Sequence, residues 1–247
     1  GRMILTNDIV VPYAIEVDGA VIKVFDQSNH QRVAESSAAA VKNRDVRWVK
    51  IHRPVIVTGG ELTLESLDLV WDGVNNFYQA PYQMKANGGM FLIDDFGRQQ
   101  VRPRDLLNRW ILPLEKRIDF LTLHTGRKIE IPFDVLLIFS TNLAPKDLVD
   151  EAFLRRIRHK IHIGDPTFEE FREIFKRVAA DKKMDYDDRT LAYLLQEHYV
   201  KPRRKLRAVH PRDLIEQMID IARYLNLPMV MNQDLIDRAC DAYFVEL

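Results

Sequence analysis

The sequence predicts an α/β fold in which a domain built on a parallel sheet is followed by an all-helical domain. Two wholly apolar segments, residues 90–93 and 135–139, are typical of buried parallel strands. Strand and helix patterns are mixed up to residue 164, whereas every pattern from residue 165 onward has helical spacing. We therefore expect two domains, over residues 1–164 and 165–247.

Short strands and turns dominate the first predicted domain. Asp18-Gly19 lies between two alternating segments, which is a strong hairpin signal, and Thr125-Gly126-Arg127 marks a second hairpin. Strands are expected at 14–17, 21–24, 46–51, 55–57, 119–123 and 128–131, and the alternation at 159–163 also indicates a strand. Helical spacing appears at 62–70 and 104–116.

The second predicted domain carries clear helix-start signals. Thr167 and Glu170 form a capping box, Pro211 suits the first turn of a helix, and Asn232 is a good N-cap. The expected helices cover 168–181, 187–199, 211–224 and 233–243. Cys240 lies on an apolar stripe of the last helix, so we interpret it as a small core residue.

Composition narrows the class of protein. The 247 residues contain 36 basic and 36 acidic side chains, so zero net charge gives no general attraction to nucleic acid or to a membrane. The single cysteine cannot form an internal disulfide, and no apolar run reaches the length of a membrane helix. We therefore expect a cytoplasmic globular protein that is not inserted in a membrane.

The most informative segment is the apolar strand at 90–93, which leads directly into Asp94-Asp95. Open α/β sheets bind ligands at the carboxyl ends of their strands, and Mg²⁺ prefers carboxylate oxygens there. No glycine in the sequence is followed by lysine, so the phosphate-binding pattern G-x-x-x-x-G-K-[ST] is absent. The chain therefore carries half of a nucleotide site by sequence.

Four motifs, in this order, resemble those of AAA+ ATPases and together cover most of the chain. They are the acidic strand at 90–95 (Walker B), Asn142 after the next apolar strand (sensor 1), the segment 150–158 (arginine finger) and His210-Pro211-Arg212 (sensor 2). The hairpin at 119–131 resembles the pre-sensor-1 insertion of the MoxR-like and enhancer-binding branches. The resemblance implies an AAA+ core without its P-loop strand and loop, followed by a helical lid.

The same resemblance implies roles for three residues at the sheet edge. Asp94 would hold Mg²⁺ beside bound ATP, and Asn142 would position the γ-phosphate or the attacking water. Asp95 stands where the family usually has glutamate, the residue that orients this water. Because aspartate is one methylene shorter, hydrolysis is expected to be slow or to need a shifted geometry.

Arginines carry the remaining implied roles. Arg156 is favoured as the finger that reaches the site of a neighbouring subunit, with Arg155 and Arg158 still open. Arg212 would couple the lid to the nucleotide phosphates. The implied protein is a ring-shaped homo-oligomer that hydrolyses ATP and remodels a protein or nucleic-acid client.

Other interpretations remain open at the level of sequence. Asp94-Asp95 also suits a solvated strand end, Asn142 a turn, and the arginines at 155–158 the polar side of a helix end. The first hypothesis is a truncated ATPase whose P-loop lies upstream, with apolar strand edges left bare. The second is a non-catalytic assembly module, and the third is a nucleic-acid-binding regulator that uses the basic run at 201–207.

Overall fold

A computed structural model describes residues 7–34, 45–144 and 154–245. Contacts divide the chain into two compact units, Gly1–Lys160 and Ile161–Leu247. The described strands of the first unit are β1 (Ile9–Pro12), β2 (Ala14–Val17), β3 (Ala20–Lys23), β4 (Trp48–Ile51), β5 (Val55–Thr58), β6 (Val70–Asp72), β7 (Phe77–Gln79), β8 (Met90–Ile93), β9 (Ile118–Thr122), β10 (Lys128–Pro132) and β11 (Leu136–Phe139). Its helices are α1 (Tyr82–Lys85) and α2 (Pro103–Lys116), with a 3₁₀ turn at Glu65–Leu67.

The centre of the first unit is a parallel three-stranded sheet in the order β11-β8-β5. One face of this sheet packs against α2, where the rings of Phe91 and Trp110 meet edge to face at 5.7 Å. The other face is partly open, since Val57 is 55% and Leu136 is 42% exposed. No described strand pairs with the outer edge of β11, and β1 pairs with β4 instead.

Beside the parallel sheet lies a small β-structure formed by β2, β3, β6, β7, β9 and β10. The four-stranded sheet β2-β3-β7-β6 and the hairpin β9-β10 enclose a shared apolar core. The predicted hairpin at Asp18-Gly19 is confirmed, and both residues have positive φ (54° and 79°), as a type I′ turn requires. The hairpin predicted around Gly126 is confirmed as well.

The second unit is helical, as its spacing predicts. It contains α3 (Phe168–Asp181), α4 (Asp188–Leu194), α5 (His210–Tyr224) and α6 (Gln233–Tyr243) around one apolar core. The capping box of Thr167 and Glu170 and the N-cap at Asn232 both form. Cys240 is buried in this core, and burial raises the pKa of its thiol to about 12.

Three expectations from periodicity are wrong. Residues 62–70 form only the short 3₁₀ turn and the start of β6. The helix expected over 187–199 ends as α4 at Leu194 and continues as a π-helix, Leu195–Val200. The alternation at 159–163 forms no strand, and Ile161 and Ile163 are 86% and 85% exposed.

Candidate functional site

The acidic residues lie in the turn that follows β8, at the carboxyl end of the parallel sheet. Asp94 and Asp95 are both exposed. The Asp94 N–H donates to the carbonyl of Thr58 at 2.8 Å, so the ends of β5 and β8 are held together. The strand therefore delivers two carboxylates to the edge where this class of sheet binds ligands.

Hydrogen bonds within the turn fix its shape. The Asp95 N–H donates to the Asp94 carboxylate at 3.0 Å, and the Gln99 side-chain amide donates to the Asp94 carbonyl at 2.9 Å. The Arg98 N–H donates to the Asp95 carbonyl at 3.0 Å. Asp95 itself is left-handed, with φ of 48°. The acidic turn is thus a defined structure rather than a frayed strand end.

The loop after β11 is clamped to this acidic turn. The Phe96 N–H donates to the Ser140 carbonyl at 2.7 Å, and the Thr141 hydroxyl donates to the Phe96 carbonyl at 2.8 Å. Asn142 follows directly, is exposed, and makes no side-chain hydrogen bond to a residue in the described ranges. The structure therefore brings Asp94, Asp95 and Asn142 into neighbouring loops.

Thr141 is a residue that sequence reasoning missed. Its hydroxyl also accepts from the Leu143 N–H at 3.1 Å, so one side chain ties both sides of Asn142 to the acidic turn. The only local signal was its place in Ser140-Thr141-Asn142 after an apolar strand. Its partner Phe96 lies 45 positions earlier, which no local pattern indicates.

The donor set at the sheet edge fits a magnesium ion. The Asp94 carboxylate is exposed, and one of its oxygens accepts a hydrogen bond from the adjacent N–H. Mg²⁺ in proteins is commonly held by one or two carboxylates together with water and substrate phosphates. A closed protein cage is not needed, and the described residues contain no group of three or more metal-ligating side chains.

The candidate arginines of the first unit differ in their surroundings. Segment 150–158 lies partly outside the described residues, since 150–153 are not described. The Arg156 Nε donates to Glu115 at the end of α2 at 2.7 Å, and Arg156 is half-buried. Arg155 and Arg158 are exposed. A reach into another subunit by Arg156 therefore requires the ion pair with Glu115 to open.

The remaining candidate, Arg212, belongs to the second unit. It lies in the first turn of α5, is exposed, and its Nε donates to Asp213 at 3.1 Å. In the basic run, Arg204 is structural because its guanidinium packs 3.6 Å from the centre of the Phe244 ring and donates to the His198 carbonyl. Lys201 pairs with Glu197 one turn earlier.

Comparison with known proteins identifies the fold. NtrX from Brucella abortus in complex with ADP matches with a TM-score of 0.51 and 16% identity, over 74% of this chain and 42% of that chain. A second NtrX structure from that organism matches with a TM-score of 0.54 and 14% identity, over 76% of this chain and 44% of that chain. A point mutant of RuvB from Thermotoga maritima matches with a TM-score of 0.49 and 15% identity, over 78% of this chain and 55% of that chain. This chain spans less than half of the NtrX chains, and the similarity shows that it shares the fold of the matched part of those chains.

Sequence comparisons add one finding. Residues 167–242, in the second unit, match a family described as a domain of unknown function, DUF8689. No curated protein sequence matches the chain. Among the described helices, none is long and apolar enough to cross a bilayer.

Proposed function

We propose that the chain is the ATP-binding and ATP-hydrolysing module of an AAA+ ATPase, which couples nucleotide turnover to the remodelling of a protein or nucleic-acid partner. The observation that carries this proposal is the acidic turn at Asp94-Asp95, clamped beside the loop of Asn142 on adjacent parallel strands. The AAA+ ATPase-like fold supports it independently of those residues.

Each residue of this edge has a distinct proposed task. Asp94 holds Mg²⁺, which supplies charge neutralisation at the phosphates of bound ATP. Asp95 orients the attacking water, and Asn142 positions this water or the γ-phosphate. Since both loops are held by backbone and Thr141 hydrogen bonds, these side chains need little reorganisation to act.

The phosphate cradle is the missing part of this proposal. The sequence has no Gly-Lys step, so this proposal requires the backbone loop that binds the triphosphate to come from sequence outside these 247 residues. We therefore expect this chain alone to bind ATP poorly and an upstream extension through a Gly-Lys-Ser/Thr segment to bind it well.

Calorimetric titration with ATP and Mg²⁺ tests the proposal on the chain and on its upstream extension. Asp94→Ala in the extended chain should abolish Mg²⁺-dependent binding, whereas Glu130→Ala, an exposed acid on β10, should leave it unchanged. If the extended chain binds no ATP, or if both variants bind like the parent, the proposal is wrong.

The arginine finger is proposed to act between subunits of a ring-shaped homo-oligomer. Arg156 is the first candidate, Arg155 and Arg158 remain candidates, and Arg212 is proposed to couple the helical unit, acting as a lid, to the phosphates. Arg156→Ala and Asp94→Ala subunits should each be inactive alone. Mixing them should restore part of the ATPase rate, because some interfaces then combine an intact Arg156 with an intact Asp94. Mixtures that stay inactive would exclude Arg156 as a finger in trans.

A non-catalytic assembly module is the second candidate. The observation that favours it is the apolar face of the parallel sheet, with Val57 and Leu136 exposed, together with an outer edge of β11 that no described strand pairs with. Such an edge pairs readily with another chain. A chain that self-associates but, even when extended upstream, does not bind ATP would support this second candidate over the first.

A further inference from the structure

A second candidate ligand site lies away from the acidic turn, on the solvent face of the four-stranded sheet. Ile22 and Tyr78 pair in register and are buried in the core. Their neighbours Val21, Lys23 and Phe77 therefore lie on the opposite face, because side chains alternate along a strand. There they line a cavity of about 710 Å³, a volume typical of small-ligand sites.

Two cations line this cavity, and both are held over aromatic rings. The Arg32 guanidinium carbon lies 4.8 Å from the centre of the Phe25 ring and 5.4 Å from that of Tyr13. The Lys23 Nζ lies 5.7 Å from the centre of the Phe77 ring. Neither cation forms an ion pair with a carboxylate in the part of the chain that the structure describes. Their positive charge is therefore available to a ligand.

The carboxylate of Asp26, which also lines the cavity, already has hydrogen-bond partners within the protein. Its carboxylate accepts from the Lys85 ammonium at 2.8 Å, from the Ser28 N–H at 2.9 Å and from the Asn29 amide at 2.8 Å. Burial alone would raise the pKa of Asp26, but these bonds hold it well below its usual range. Asp26 thus stays ionised and paired with Lys85, so it forms no ion pair with Lys23 or Arg32.

The other residues that line the cavity suit a ligand with a flat ring better than a simple anion. The Arg32 side chain is exposed, and a guanidinium held beside aromatic rings can also stack on a further aromatic partner, as in base recognition. Asn75 and Asn76 stand in the turn between β6 and β7; the Asn75 amide already donates to Asp72 at 2.9 Å, whereas the Asn76 amide can donate to and accept from the edge of a base. Lys23 supplies a compact charge of the kind that contacts phosphate.

We propose that this cavity binds a nucleotide unit, with its phosphate at Lys23 and its base stacked on Arg32. The unit is either a free mononucleotide or one residue of a single strand, since both present the same base and phosphate. This site is separate from the acidic turn and does not depend on the proposed ATPase activity.

Fluorescence anisotropy with a fluorescein-labelled octathymidylate tests this proposal on the whole chain, in EDTA to exclude Mg²⁺-dependent binding. We expect Lys23→Gln and Arg32→Gln each to weaken binding about tenfold and to lower the salt slope by about 1. Lys128→Gln, which removes an exposed cation outside the cavity, should bind like the parent chain. Asp94→Ala should also bind like the parent, which separates this site from the proposed ATP site.

Competition distinguishes the two sources of the nucleotide. Displacement of the probe by AMP indicates a site for free mononucleotides, whereas displacement only by unlabelled octathymidylate indicates a single strand. Arg32→Lys keeps the charge and loses the planar face, so it should bind more weakly than the parent even where it melts at the same temperature. The proposal is overturned if the probe does not bind, if Lys23→Gln and Arg32→Gln bind like Lys128→Gln, or if octaglutamate displaces the probe better than nucleotides.

Discussion

At the scale of single residues, the left-handed backbone of Asp95 gives a reason for aspartate where the resemblance leads one to expect glutamate. Its φ of 48° is tolerated best by asparagine, aspartate and glycine among common residues. We expect Asp95→Asn to keep the free energy of unfolding within about 0.5 kcal/mol, because the residue stays compatible with this conformation. If Asp95 orients the attacking water, Asp95→Asn should still abolish ATP hydrolysis in the upstream-extended chain.

Asp95→Glu is the informative companion variant. It restores the longer carboxylate of the family but strains the turn, so stability should fall by about 1 kcal/mol. Chemical denaturation and ATPase assays on both variants separate the two effects. Equal hydrolysis by the parent and by Asp95→Asn would exclude Asp95 as the residue that orients water.

Gly89 illustrates a residue set by close packing rather than by chemistry. A Cβ at this position would lie 2.2 Å from the Pro54 carbonyl oxygen, the same oxygen that accepts from the Met90 N–H at 2.8 Å. Gly89→Ala should therefore lower the free energy of unfolding by about 3 kcal/mol, since backbone must move and a strand hydrogen bond weakens. Urea unfolding measures the loss, and Gly60→Ala, whose Cβ would meet nothing closer than 3.8 Å, is the matched control.

At the scale of elements, an ion pair between the buried Asp119 and the half-buried Arg109 joins α2 to β9. Asp119 is 1% exposed, and it accepts from Arg109 and from the Gln83 amide at 3.1 Å. Asp119→Ala should lower the free energy of unfolding by about 3–5 kcal/mol, because the Arg109 charge is left without its partner. Arg127→Ala breaks the exposed pair with Asp18 and should cost about 0–1 kcal/mol. Similar losses in the two variants would show that the buried network is not structural.

His30 links the segment after β3 to helix α1 and gives this region a pH dependence. Its Nδ1 accepts from the Asp26 N–H at 3.0 Å, and its Nε2 donates to the Lys85 carbonyl at 2.8 Å, which requires the neutral ring. Burial lowers the pKa of His30 below 6.5, and the facing charges are Asp26 and Lys85. The unfolded state therefore binds more protons, and stability falls as the pH drops from 6.5 towards the folded pKa.

We expect the loss to stay below about 1.4 kcal/mol per pH unit, which is the limit for one proton. Urea unfolding at several pH values between 7.5 and 5 measures it. His30→Gln should be less stable at neutral pH and should show a flatter slope, while His159→Gln, at an exposed histidine, should keep the slope of the parent. An unchanged slope in His30→Gln would exclude His30 as the source.

Local signals predicted these elements well, and long-range contacts explain where they failed. Asp18-Gly19, Thr167 and Asn232 act on their own neighbours in sequence, so the hairpin and the helix starts were visible without a structure. The switch from α4 to a π-helix places Tyr199 against His210, whose Nδ1 lies 2.9 Å from the Tyr199 hydroxyl. Helical periodicity contains no information on such a contact.

At the scale of the whole molecule, the order of the apolar strands was predictable in outline and their clamps were not. Apolar strands that each end in polar residues indicate a parallel sheet with a site at one edge, and β8 and β11 are indeed adjacent and parallel. The Thr141 clamp and the Arg109–Asp119 pair each join segments that no spacing rule relates. The residue types of the candidate site were thus visible in the sequence, whereas the hydrogen bonds that join its loops were not.

The two units also lead to a prediction about folding. The second unit has its own core, built from residues of α3, α4, α5, α6 and the π-helix, and the DUF8689 match lies entirely within it. A fragment of residues 161–247 should therefore be helical and should unfold in one cooperative transition, because its apolar residues are buried against one another.

Leu214→Ala, at a position 1% exposed, should lower the stability of this fragment by about 2–5 kcal/mol. Tyr224→Ala, at a position 86% exposed, should change it by less than about 0.5 kcal/mol. Circular dichroism during thermal unfolding measures both, and a fragment without a cooperative transition would show that the helical unit depends on the rest of the chain.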